Sequence, residues 1–142
     1  MKKLIAIAAI AASALAFAGE HNTPETSGDY AKLTAGEAVY AGNIAGVWTN
    51  GLAYAVNSAT PATGTLTVCG VFQYSAAQGE SVLVKRGGFL LENVGNITKK
   101  EIGSTAYSIT TNAWTVTKTS GTKTVGKVAD VRDDGVVVII GR

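Results

Sequence analysis

Apolar and polar residues alternate along this chain in short runs, and turn-forming residues interrupt the runs about every ten positions. That rhythm predicts an all-β fold, a small single-domain barrel or sandwich of short antiparallel strands. Strands are expected at Ala38–Ala41, Ile44–Trp48, Leu52–Val56, Thr65–Tyr74 and Ser81–Lys85. Gly42-Asn43 and Asn50-Gly51 have the chemistry of hairpin turns. Asn57–Gly64, with Pro61, reads as a loop, and Ser75–Glu80 as a small-residue turn. Val68, Cys69, Val71 and Phe72 make their run almost continuously apolar, which predicts a central strand.

The second half repeats the pattern. Thr105–Ile109 predicts a strand that turns at Thr110-Thr111-Asn112. In Ala113–Lys118 the alternation sets Trp114 and Val116 on one face and Thr115 and Thr117 on the other. A turn through Gly121 follows. Lys123–Arg132 then pairs with Val136–Ile140 across Asp133-Asp134-Gly135, and Asp134 and Gly135 carry the hairpin signal. Val136–Ile140 is apolar on both faces, as expected of a central or barrel-closing strand.

One stretch departs from the strand rhythm. In Arg86–Tyr107, Gly87 and Gly88 punctuate the chain, Phe89–Leu91 is a short apolar run and Asn93–Asn96 forms a turn. Thr98-Lys99-Lys100-Glu101 is a capping-box sequence, in which the Thr98 hydroxyl accepts from the Glu101 amide and the Glu101 carboxylate reaches back. Ile97 and Ile102 flank it at the spacing of a hydrophobic staple, and Gly103 stands where a left-handed cap is wanted. One short helical turn near Thr98–Ile102 is expected among the strands. Thr98, Glu101, Gly103, Asp134 and Gly135 are therefore structural residues in this reading.

The N-terminus reads differently. Lys2-Lys3, the apolar run Leu4–Phe17 and Ala16-Phe17-Ala18 match the three parts of a secretory signal peptide, and the run is short for a membrane span. The alternative is a retained alanine-rich arm covered by other subunits. Glu20–Asp29 is polar and aperiodic, a linker or extended arm, so residues 1–29 form the arm or signal-like segment and 30–142 the β-domain.

Composition narrows the function. The net charge is only +2 and dispersed, which gives no reason to expect nucleic acid. Charged residues make up 15% of the chain, against a norm of about 25%, as suits a surface buried on partners. Cys69 is the one cysteine and sits in an apolar run, so it reads as a small buried hydrophobe. His21, the one histidine, has no cluster of ligands around it, and neither a catalytic triad nor a metal set can be assembled. Asp133-Asp134 suits a hairpin tip, and no phosphate-binding pattern accompanies Gly87-Gly88. Lys85-Arg86 and Lys99-Lys100 read as solvated faces, and Trp48 and Trp114 as core or interface anchors. The expectation is a structural or binding domain with no enzyme activity, cofactor or metal.

Four features in order carry a family resemblance: Thr65–Phe72; Ser81-Val-Leu-Val-Lys-Arg-Gly-Gly-Phe-Leu-Leu-Glu-Asn93; Ile97-Thr-Lys-Lys-Glu-Ile-Gly-Ser-Thr-Ala-Tyr107; and Gly126-Lys-Val-Ala-Asp-Val-Arg-Asp-Asp-Gly-Val-Val-Val-Ile139. From Gly36 to Ile140 the chain resembles the small capsid decoration, or cement, proteins of tailed bacteriophages. The resemblance implies a compact β-barrel on the outer face of the virion capsid, in homotrimers, bracing neighbouring major capsid protein subunits. It implies no nucleic-acid partner, and no membrane if residues 1–29 are kept as an arm over neighbouring subunits. The signal-like N-terminus departs from the family, and a cleaved signal at 1–18 points instead to an exported bacterial β-domain, a periplasmic or surface binding module. Candidate contacts are the arm and the loop Asn57–Thr63.

Overall fold

The sequence divides its β-strands between two five-stranded assemblies in the computed structural model, which describes residues 29–59, 66–120 and 122–141. The expectations for residues 1–28, including His21, for most of the Asn57–Gly64 loop and for Gly121 lie outside the described residues. The chain divides between Ala31 and Lys32 into two units, and β1 (Tyr30–Thr34) spans that boundary.

The first assembly is an open sheet of β1, β2 (Ile44–Val47), β3 (Ala53–Ala55), β4 (Thr67–Phe72) and β5 (Ser81–Lys85), in the order β1-β5-β4-β2-β3. Asn50-Gly51 makes the β2–β3 hairpin as expected, with the Gly51 amide donating to the Trp48 carbonyl at 2.8 Å. β4 lies between β5 and β2, the central position that its apolar run predicts. The sheet curls towards closure just after β1. Ala35 donates to the Glu80 carbonyl at 2.8 Å, and Gly36 donates to Ala53 of β3 at 2.8 Å. This brings the chain to the opposite edge over a core that includes Val39, Phe72, Val82 and Val84.

The second assembly is a closed barrel of β6 (Gly87–Asn93), β7 (Thr105–Ser108), β8 (Thr115–Thr117), β9 (Thr124–Arg132) and β10 (Gly135–Ile140), in the order β10-β6-β8-β7-β9. β10 pairs with both β6 and β9, the barrel-closing role expected of Val136–Ile140. Val136, Val138 and Ile140 are fully buried with Val116 and Val128. Each such side chain contributes about 1.5–3 kcal/mol through apolar area removed from water. Ile44, Val56 and Val71 of the sheet join this cluster, and the Ile44 amide donates to the Ala113 carbonyl at 2.7 Å. Sheet and barrel therefore share a core.

Four expectations are corrected. Ala38–Ala41 is not a strand: Val39 makes a single bridge to Ala76, and β2 takes β3 and β4 as neighbours, so Gly42-Asn43 turns without forming a hairpin. Gly87 and Gly88 do not interrupt the chain but lie inside β6, opposite Ile140 and Ile139, because the ladder with β10 outweighs their local preference. Trp114 and Val116 do not share an environment, since Trp114 is exposed and Val116 buried. Thr115 and Thr117 are buried too, so β8 has no exposed face. Ile97 and Ile102 form no staple, since Ile97 is buried while Ile102 is exposed.

Candidate functional site

The capping-box sequence forms a 3-10 turn at Lys99–Glu101 with Thr98 as its N-cap. Glu101 Oε1 accepts from the Thr98 amide at 2.7 Å and from the Thr98 hydroxyl at 2.8 Å. The hydroxyl in turn accepts from the Lys100 amide at 3.4 Å, while the Glu101 amide donates to the Thr98 carbonyl at 2.9 Å. These bonds from Thr98, aided by Lys118 and Lys100 nearby, hold the Glu101 carboxyl below its ordinary value. Gly103 has φ +91°, the left-handed cap expected of it, and its amide donates to Val128 of β9 at 2.8 Å.

The turn is fastened to β9 a second time. Lys99 Nζ donates to the Val131 carbonyl at 3.0 Å and lies 3.7 Å from Asp130. Asp130 also accepts from Arg132 Nε at 3.1 Å and from the Val131 amide at 2.9 Å, which together keep its carboxyl below the ordinary range. Thr98–Gly103 thus lies alongside the same hairpin strand that leads to Asp134 and Gly135. Asp134 is exposed in the two-residue loop, and Gly135 begins β10 opposite Arg132. A Cβ at Gly135 would sit 2.5 Å from the Leu91 carbonyl oxygen, so close pairing with β6 excludes a side chain there. The expected structural residues form a brace along one side of the barrel, and no reactive groups converge on them.

A face that sequence reasoning missed lies on β6 and β8. Leu90 and Glu92 alternate outward along β6 and Val94 follows its end, and Leu90 and Val94 are exposed. β6 runs parallel to β8, with Glu92 opposite Thr115, which sets Trp114 beside this row. Trp114 is 47% exposed, yet its Nε1 donates to Glu92 Oε1 at 2.9 Å. The same oxygen accepts from the Thr115 hydroxyl at 3.1 Å. Asn112 Oδ1 accepts from the amides of Trp114 and Thr115, both at 2.9 Å, and fixes the backbone beneath the ring. The result is a large apolar side chain presented to solvent but held in one orientation. Half-buried Val137, opposite Leu90 on β10, extends the apolar surface. The parallel pairing that builds it is non-local, so the sequence alone carried no signal for it.

A shallow groove of about 630 Å³ lies between the start of β4 and the outside of β9. Lys123 and Lys127 line it, and among the described residues no acidic side chain does. Cys69, on β4, is half-buried rather than fully buried; its thiol donates to the Ala45 carbonyl, and desolvation pushes it up to about 11. Trp48 packs edge-on against Tyr54 at 6.1 Å between ring centroids. Among the described residues, no group of three or more His, Cys, Asp or Glu lies close enough to hold a metal ion. Comparison with protein-family models, with curated proteins and with solved structures found no match.

Proposed function

We propose that this chain is a structural virion protein that binds the outer surface of a phage capsid and braces contacts between major capsid protein subunits. In this reading it self-associates as a trimer, has no enzyme activity or cofactor, and contacts no nucleic acid. The observation that carries the proposal is the Trp114 face: an exposed indole pinned by Glu92, between Leu90 and Val94. An exposed aromatic that is already ordered gives up little side-chain entropy on docking, which is why such residues anchor interfaces. The low charge and an order of motifs that resembles that of decoration proteins support the same reading. Stabilisation would come by mass action, from subunit contacts that the separate state lacks.

The test is to strip the protein from purified virions and measure the heat resistance of the heads, with and without adding it back. Restored resistance with the wild-type chain and none with Trp114→Ala is the expected result. Absence from virions, or unchanged head stability, overturns it. The signal-like residues 1–18 favour a second reading, an exported β-domain. Intact-mass measurement of the native protein separates the two, because a chain beginning at Gly19 supports export.

A further inference from the structure

The β4–β5 ladder contains only Val71↔Lys85 and Phe72↔Val84, after which the chain leaves β5 for the barrel. Among the described residues, no strand therefore pairs with β4 on that side along Thr67–Cys69. The other side of β4 is occupied by β2, with Val47 opposite Thr67 and Ala45 opposite Gly70. Ile44 directs its amide to Ala113 and its carbonyl to Val56, away from β4. Strand alternation then turns Ala45 and Val47 towards β4, and turns the Val68 amide and carbonyl away from β2, to the groove side. A half-buried strand edge with free backbone groups is a template for another strand.

The opposite wall of the same groove is basic. Lys123 and Lys127 line it, together with Thr124 and Thr105, and Lys127 Nζ donates to the Thr105 hydroxyl at 3.1 Å. The two lysines stand on either side of the β9 irregularity at Val125, and both line the groove. Carboxylates on a strand docked in the groove would therefore meet positive charge on this wall.

We propose that this groove docks an extended acidic segment of a partner protein as a strand added to β4 at Thr67–Cys69. Backbone hydrogen bonds to Val68 supply the affinity, and the lysines select for acidic side chains. The docking does not require the partner to be a capsid protein, so it goes beyond the proposed function and stands or falls apart from it.

The experiment uses the full chain and an alternating Thr-Glu octapeptide as the probe, with the Thr-Lys octapeptide and tripolyphosphate as comparators. The acidic peptide should bind, more weakly as salt is raised, and at least tenfold more weakly to the Lys123→Ala/Lys127→Ala variant. Hydrogen exchange at the Val68 amide of the wild-type chain should slow when the peptide is bound, a readout that needs no variant. No binding, equal binding of the Thr-Lys peptide, or insensitivity to the lysine substitutions overturns the proposal. Tripolyphosphate binding as tightly as the peptide, or an unchanged Val68 amide, also overturns it by showing a bare anion site.

Discussion

Trp114 Nε1 donates to Glu92 Oε1 at 2.9 Å across the parallel pairing of β8 with β6, and the buried Thr115 hydroxyl donates to the same oxygen at 3.1 Å. Glu92→Ala removes the acceptor of both bonds and leaves the Thr115 hydroxyl in a 4% exposed site without it. The expected loss of stability is about 1–2 kcal/mol by urea unfolding. In a Trp48→Phe background the Trp114 fluorescence anisotropy should fall as the ring is released. Glu92→Gln keeps an acceptor and should cost less.

The cap and the β9 brace predict an acid sensitivity. The Glu101 carboxyl lies below its ordinary 4.5 and that of Asp130 below its ordinary 3.8, each chiefly through hydrogen bonds to the charged form. A depressed folded-state value means that the stabilisation is complete above the ordinary value and is lost as pH falls through the folded one. The urea midpoint should therefore drop as pH falls below 4.5. The gap between wild type and Glu101→Gln should narrow over the same range. A gap that does not narrow as the pH is lowered would count against the cap.

Two glycines should respond differently to alanine, because one is constrained by backbone conformation and the other by space. Gly103 has φ +91° with nothing within 4 Å of a Cβ, so Gly103→Ala should cost about 1–2 kcal/mol from backbone strain alone. Gly103→Val should cost more, because a branched Cβ resists this conformation. At Gly126 a Cβ would collide with the Ile139 carbonyl across the β9–β10 ladder. Gly126→Ala should therefore cost about 3 kcal/mol. Thermal unfolding of the three variants side by side checks the order.

Cys69 is expected to react slowly. Burial pushes its thiol up to about 11 from 9.0, so little thiolate exists near neutrality. Labelling by an aromatic disulfide reagent at pH 8 should accelerate sharply only in unfolding concentrations of urea. Because the folded-state value is the higher one, stability should hold below pH 9 and decline between 9 and 11 as the unfolded thiol ionises first.

What the sequence determined by itself is the chemistry that closes within a few residues. Thr98 and Glu101 satisfy each other's backbone and side-chain groups three positions apart, Gly103 ends their turn, and Asn50-Gly51 and Asp133-Asp134 reverse the chain where two strands meet. These features need no distant partner, and the all-β class follows from repeating them. The tertiary structure decided whatever depends on a distant neighbour. Gly87 and Gly88 became strand because β10 pairs with them, Ala38–Ala41 shrank to a bridge because β2 found β3 and β4, and Ile102 faces solvent beside a buried Ile97. The Trp114 face exists only because β6 and β8 run parallel, and the groove only because β5 ends before covering Thr67–Cys69. Local hydrogen bonds are written in adjacent residues, whereas the pairing of strands is settled by burial summed over the whole chain.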